Sequence, residues 1–373
     1  MDVALSKNRM RQSGVELLKI LAMFLIIVNH VTQTLQADNP YISYHDYWLG
    51  ELSGATTDFL PLLLKIFRYS GMLGNNIFFF CSAWFLLDKK PADSRKITRL
   101  LSDVWIISVV IFLITALCMK GNIDKSFILS QFFPTMSQNN WYATTYLLFL
   151  PLYPLLNRMI DSFDRQSLFR AILFSLLLRC FFSANLLRFV TFYLIIAYTK
   201  RYLKDFSSNV KYNLALLLFS AFGLIFSSVL FNALGLYVPL FSRILTSLWT
   251  LYNPFAFSFA LAALNLSLRL PLRNEAVNYI SSMSLFIYLI HDNQLVRTYL
   301  RPWIWQKIYI FWGYSHIILW IFTYSIILFL CSFAASAFYK AVIQKTVWRI
   351  SDALFARVFR LWKKLENRLL SLS

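Results

Sequence analysis

Glu16, Lys19 and His30 fall inside one long apolar run that extends from Gly14 to His30. A helix turns about 100° per residue, so positions eleven apart lie about 20° apart on one face. Lys19 and His30 therefore share a stripe, about 16 Å apart along the axis, or about half the core of a bilayer. Glu16 precedes Lys19 by one turn, close to the same stripe. A second histidine ends a late apolar run, Ser284-Leu-Phe-Ile-Tyr288-Leu-Ile-His291-Asp292. Ionisable groups in a membrane helix are costly to keep, so a functional site is the default reading. A neutral imidazole is suited to take a proton from a hydroxyl near neutral pH. The plainer alternative for either histidine is a hydrogen-bonded packing residue. His45 lies in an acidic stretch and reads as solvated; His316 opens the last apolar run and reads as structural.

The elements that carry these residues are membrane helices. The chain is 58% hydrophobic and 14% charged, with 36 Phe, 20 Tyr and 11 Trp. A soluble chain carries about 25% charge and cannot hide so much apolar surface. Ten runs approach the roughly 20 residues of a spanning helix: about 15–33, 72–88, 100–119, 142–157, 167–184, 186–200, 212–231, 244–266, 278–292 and 315–339. Phe59 to Leu73 suits a helix lying in the interface. The expected fold is all-α, a polytopic integral membrane protein with about ten transmembrane helices. A cleavable signal peptide does not fit the first run, which is too long and holds charges.

Charge orients the chain. Lys7, Arg9 and Arg11 precede the first run. With that end inside, 25 of the 36 Lys and Arg residues fall in cytoplasmic segments or the tail. The positive-inside rule then places both termini in the cytoplasm. The first outer segment, about 34–58, is acidic instead, with Asp38, Asp46, Glu51 and Asp58. Its Tyr41, Tyr44, Tyr47 and Trp48 suit an interfacial aromatic belt, or stacking on sugar rings. The +19 formal charge is thus mostly a topology signal, and no basic soluble domain is visible to bind nucleic acid. This orientation puts Lys19 in the cytoplasmic half and His30 and His291 at similar depth in the outer half.

Other features are weaker alone. Asn75-Asn-Ile-Phe-Phe-Phe-Cys-Ser82-Ala-Trp84 is followed by Ser94-Arg95-Lys96-Ile-Thr-Arg99. Small residues such as Ser82 and Ala83 let helices approach closely. Arg95, Lys96 and Arg99 would sit at the cytoplasmic mouth and could hold phosphates. Cys81, Cys118, Cys180 and Cys331 match no zinc spacing and read as apolar fillers, so no metal is expected. From about Lys345 to Leu370, Val347, Ile350, Leu354, Val358, Leu361 and Leu365 recur at three and four, with basic residues mostly elsewhere on the wheel. A basic amphipathic helix of this kind lies on an anionic leaflet. The chain therefore divides into a transmembrane domain, 1–340, and a tail helix, 341–373.

Several of these elements together resemble the membrane acyltransferase 3 family. Glu16-x-x-Lys19-x10-His30 is similar to its first-helix signature, acidic-x-x-Arg-x10-His. Phe79-Phe80-Cys-Ser82-Ala83-Trp84 resembles its Phe-Phe-x-x-Ser-Gly-aromatic element, and Lys96-x-x-Arg99 its Arg-x-x-Arg. Asn140-Trp141-Tyr142 resembles its Trp-Phe element, and Ser284-x-x-x-Tyr288-Leu-x-His291 its late signature. The matches run in order over about 15–295. The resemblance implies an enzyme of the cell membrane, in the common bacterial setting, that moves an acyl group, usually acetyl, from cytoplasmic acyl-CoA to a hydroxyl. The acceptor would be a surface polysaccharide or lipid-linked glycan. It implies no permanently bound cofactor; acetyl-CoA is the donor. Arg95, Lys96 and Arg99 would hold the CoA phosphates, Lys19 would assist the donor, and His30 would be the principal catalytic group. His291 would orient the acceptor or carry protons. Glu16, Ser82, Trp84, Trp141, Ser284 and Tyr288 would support them. Two positions depart: Lys19 stands for Arg, losing the planar fork, and Ala83 stands for Gly. The competing classes are a transporter or flippase and an inactive member of the same fold. Only 9 Gly and no half-to-half symmetry argue against a transporter.

Overall fold

In the computed structural model, residues 12–35, 55–89, 94–118, 125–136, 140–182, 184–248, 253–313 and 315–370 are described. The N-terminal basic residues Lys7, Arg9 and Arg11 lie outside them. So do Lys90 and the acidic, aromatic stretch with His45.

The first apolar run forms one helix, α1 (Ser13–Gln33), rich in Leu and Ile and free of Pro. Its start is tied down by Ser13. The Ser13 hydroxyl donates to Asn278 Oδ1 at 3.0 Å and accepts the Asn274 backbone N–H at 3.0 Å. The helices that follow are α2 (Phe59–Phe67), α3 (Tyr69–Leu86), α4 (Ser94–Cys118), α5 (Lys125–Phe132) and α6 (Trp141–Ser162). Next are α7 (Arg165–Phe181), α8 (Asn185–Tyr202), α9 (Lys204–Ser208), α10 (Val210–Gly235), α11 (Pro239–Leu248) and α12 (Pro254–Ser267). The last are α13 (Glu275–Ser281), α14 (Ser284–His291), α15 (Arg301–Trp312), α16 (Ile317–Phe338) and α17 (Gln344–Leu370). No strand occurs among the described residues.

Helix lengths depart from ten uniform spans. Among the described residues, four helical stretches are long and apolar enough to cross a membrane: Ser13–Gln33, Ser94–Cys118, Val210–Gly235 and Ile317–Lys363. The run expected at 244–266 contains α11 and α12 as separate helices. Asn253 caps α12 by accepting the N–H groups of Phe255 and Ala256, and Pro254 opens it, where a missing N–H costs nothing. The run at 278–292 divides into α13 and α14, with Ser282 and Met283 in the turn. The stretch expected to lie in the interface, Phe59 to Leu73, belongs to two helices, α2 and the start of α3. Between α6 and α7, Asp164 caps α7. Its carboxylate accepts the Ser167 N–H at 2.7 Å, which holds the carboxyl below its usual range.

α16 continues through a π-helical turn at Tyr339–Ile343 into α17, so the boundary near 340 falls within helix. α17 packs on α4, and the buried Asp103 fixes the joint. Asp103 accepts Tyr339 Oη at 2.6 Å, Trp348 Nε1 at 3.1 Å and Gln344 Nε2 at 3.2 Å. Ile350, Leu354, Val358 and Leu361 of the expected apolar stripe face outward.

α1 is the central element and packs on α2, α3, α12, α13, α14 and α16. Glycines set its approach to α3. A Cβ at Gly74 would lie 2.5 Å from the Ala22 carbonyl oxygen, and one at Gly71 would lie 2.4 Å from Asn29 Nδ2. The two helices are antiparallel, so α3 carries Phe78 alongside the Lys19 turn. Gly74→Ala should force the backbones apart. Overpacking of this kind costs about 1–3 kcal/mol, read as a lowered melting temperature in detergent. An unchanged melting temperature would mean that this contact is not tight.

Candidate active site

α14 lies against α1 and brings the two distant histidines into contact. His30 Nδ1 is 3.1 Å from His291 Nε2, with ring centroids 5.2 Å apart. The helical path breaks immediately after His291, and Asp292 turns back toward the pair. Its Oδ1 lies 3.3 Å from the same His30 Nδ1. Asp292 is also approached by Arg301, at 3.4 Å from Oδ1, and by Arg297, at 3.5 Å from Oδ2. Arg297 lies within a π-helical turn at Val296–Leu300 and Arg301 directly follows it, four residues apart and so on one side. His291, Asp292 and Arg301 are fully or nearly fully buried.

This network assigns the protons. His291 Nδ1 lies 2.7 Å from the Ile287 carbonyl oxygen, which can only accept, so Nδ1 carries the hydrogen. In the neutral ring Nε2 is then a bare acceptor. His30 Nδ1 faces that acceptor and a carboxylate oxygen, so it must donate, sharing one hydrogen between them. The lone pair of His30 is thereby fixed on Nε2. His30 keeps 13% of its side chain exposed, whereas His291 keeps none. Of the two imidazoles, His30 is thus the more accessible and carries its lone pair on Nε2, while His291 is sealed behind it. Among the described residues, no group of three or more His, Cys, Asp or Glu side chains is arranged to hold a metal ion.

A small void of about 10 Å³, room for about one water molecule, lies between α1, α3, α6 and α14. Its walls come from Met23 and Ile26 of α1, Asn75 and Phe78 of α3, Tyr142 of α6, and Leu285 and Tyr288 of α14. Ile26 is one turn from His30, and Lys19 Nζ lies 5.9 Å from the centre of the Phe78 ring. Lys19 itself donates to Glu16 Oε2 at 3.0 Å, and Ser281 donates to the same oxygen at 2.5 Å.

One comparison decides the family: residues 12–337 match the acyltransferase 3 family, described as an acyltransferase domain. The chain belongs to that family. No curated protein and no solved structure matches it. Membership makes the protein a membrane acyltransferase, and the acyltransferase 3 match covers every site residue named above.

The remaining sequence-expected residues of this acyltransferase lie on four helices, α14, α6, α3 and α4. Ser284 and Tyr288 lie on α14 with His291, and both are buried. Trp141 opens α6 next to Tyr142. Ser82 donates back to the Phe78 carbonyl at 3.1 Å, within α3. Trp84 carries Lys200 over its ring at 4.8 Å, and Lys200 also donates to the Trp84 carbonyl and to Asp88, each at 2.7 Å. Arg95 and Lys96 are exposed at the start of α4. Arg99 is not open in this way: it makes a two-pronged contact with Asp352 of α17, Nε to Oδ1 at 2.9 Å, and stacks 5.1 Å over Trp348.

Asp292, Arg297 and Arg301 were outside the expected site. An acid directly after a membrane histidine, followed by two arginines four apart, was the available signal. A second basic surface was also missed. Lys200, Arg201 and Lys204 line an open pocket of about 260 Å³ with Leu87 and Asp88, at the C-terminal end of α3.

Proposed function

We propose that the protein is an O-acyltransferase of the cell membrane. It moves an acetyl group from cytoplasmic acetyl-CoA to a hydroxyl of a surface polysaccharide or lipid-linked glycan. The observation that carries this reading is the His30 tautomer: Nδ1–H is committed to His291 and Asp292, and Nε2 is left bare at the partly exposed edge. Such an imidazole can remove the hydroxyl proton as the oxygen attacks the thioester carbonyl. The carbonyl π pair moves onto oxygen, then returns as the carbon–sulfur bond breaks. The CoA thiolate leaves and takes the proton from His30 Nε2, which restores the neutral ring. The products are an acetyl ester and CoA thiol.

The topology in this reading has about ten membrane segments and both termini in the cytoplasm. The shorter helices cross in pairs or in part, packed among the longer ones. Arg95, Lys96 and Arg99 lie on the donor side and attract the CoA phosphates, and the Lys200–Arg201–Lys204 pocket adds to that field. Lys19 then stands between donor mouth and reacting centre. No resident cofactor takes part.

The test uses purified protein in lipid with labelled acetyl-CoA and an isolated cell-surface glycan. The expected result is label on the glycan and one CoA thiol released per acetyl transferred. Solute movement without an acyl donor would instead establish a transporter. Deleting the gene should remove acetyl mass from one surface glycan. A reporter fused after Arg273 should read cytoplasmic.

A further inference from the structure

α17 carries two opposed faces beyond its joint with α4. Ile350, Leu354, Val358, Phe359, Leu361 and Trp362 are all exposed, Trp362 at 64%. At about 100° per residue these six fall within about half of the helix circumference. Arg349, Arg357, Arg360 and Lys363 occupy the other half and are exposed as well. Asp352 is the one acid between residues 344 and 363, and Arg99 engages it. Among the described residues, no carboxylate meets the four cations; Arg360 donates within its own helix, to the Ala356 carbonyl at 3.2 Å. A broad apolar face is costly in water, and a row of cations is costly in hydrocarbon. The boundary between the two satisfies both faces.

The fold holds α17 at such a boundary. α16 has 22 residues. It rises about 33 Å, close to the roughly 30 Å core of a bilayer, so α17 begins where that core ends. The π-helical turn at Tyr339–Ile343 joins them, and long helices bend at such turns. The first turns of α17 are then fixed to α4. Asp103 gathers Tyr339, Gln344 and Trp348, Ser102 donates to Ser351 at 3.0 Å, and Arg99 holds Asp352. Among the described residues these polar ties reach no further than Asp352. Residues 354–363 are therefore tethered at the membrane edge with both faces uncovered. Trp362 is of the type that gathers at membrane–water interfaces.

We infer that residues 354–363 are a docking surface for the anionic lipid headgroups of the leaflet at that end of α16. Leu354, Val358, Leu361 and Trp362 enter the boundary between headgroups and acyl chains. Arg357, Arg360 and Lys363 meet the lipid phosphates. The two faces divide the work: the apolar one gives membrane affinity, and the basic one makes it depend on lipid charge. This goes beyond the acyl-transfer reading and does not depend on it.

The test places the full chain in nanodiscs of phosphatidylcholine alone, or of phosphatidylcholine mixed with phosphatidylglycerol, and follows amide hydrogen exchange over residues 354–363. Exchange should be slower in the mixed discs, and concentrated salt should erase the difference. One cation near an anionic surface strengthens binding about fivefold, so Arg357→Glu/Arg360→Glu/Lys363→Glu should lose protection by on the order of 10²-fold, or down to the phosphatidylcholine level. Exchange over α16 should stay as in wild type, which shows that the variant is folded. Equal exchange in the two lipid mixtures overturns the inference, as does full protection in a folded triple variant. Protection that requires two copies per disc, whatever the lipid, also overturns it and assigns the apolar face to a second copy of this helix.

Discussion

His30→Ala should leave the protein folded and remove acyl transfer, a loss of at least about 10²–10⁴-fold, the range a positioned general base supplies. The side chain ends at a partly exposed edge, so its removal opens space without stranding a buried charge. His291 keeps its bond to Ile287, and Asp292 keeps both arginines. His30→Gln separates chemistry from packing. Its amide can still donate toward Asp292, but it offers no lone pair of useful basicity, so it should be as inactive as alanine. His291→Ala should cost less, because that ring orients His30 and is sealed from substrate. Acyl transfer within about tenfold of wild type in a folded His30→Ala, far short of a general base's contribution, would remove His30 from the chemistry. A further comparison tests its mode of action. A general base forms no covalent acyl-enzyme, so wild type given labelled acetyl-CoA without acceptor should show no protein-bound label and no thiol burst.

The site was partly legible in the sequence because its costliest members stand out against an apolar background. A histidine inside a membrane helix is conspicuous, and two such runs with matched direction predict matched depth. What the sequence does not display is the turn after His291. Asp292 reads as the polar end of a span, and only the break there swings its carboxylate onto His30. Arg297 and Arg301 are placed by a π-helical turn, a local underwinding that no apolar periodicity signals. Arg99 shows the reverse error. It reads as a free cytoplasmic cation, yet Asp352, 253 residues later, engages it.

Segment ends show the same contrast. α1 and α10 end near where hydrophobicity does, because nothing interrupts their periodicity. The runs at 244–266 and 278–292 break at Asn253-Pro254 and at Ser282-Met283, where local capping outweighs uniform apolarity. α16 behaves oppositely: its apolar face stops near Phe338, but the helix continues because Asp103 anchors the first turns of α17. Apolar length reports burial in lipid; helix length reports backbone hydrogen bonding, and the two coincide only when no polar anchor or cap intervenes.

Asp292→Asn is expected to be damaging twice over, and the two losses can be separated. The first is catalytic. The carboxylate and His291 Nε2 together hold the hydrogen on His30 Nδ1. An asparagine amide can present N–H there, which favours the other tautomer and places the hydrogen on Nε2, where the lone pair is needed. In a serine protease the equivalent change of tautomer lowers kcat about 10⁴-fold, so about 10²–10⁴-fold is the expectation here. The second is structural. Arg301 is 2% exposed, and Asp292 is the carboxylate it faces. Removing one partner of a buried ion pair costs about 3–5 kcal/mol, because the other charge stays buried. A double variant distinguishes the two. Asp292→Asn with Arg301→Gln no longer buries an unpaired charge and should recover much of the melting temperature while acyl transfer stays low. Asp292→Glu keeps the charge and should recover part of the transfer rate. If the stabilised double variant regained wild-type transfer, Asp292 would be a scaffold for Arg301 rather than the group that sets the His30 tautomer.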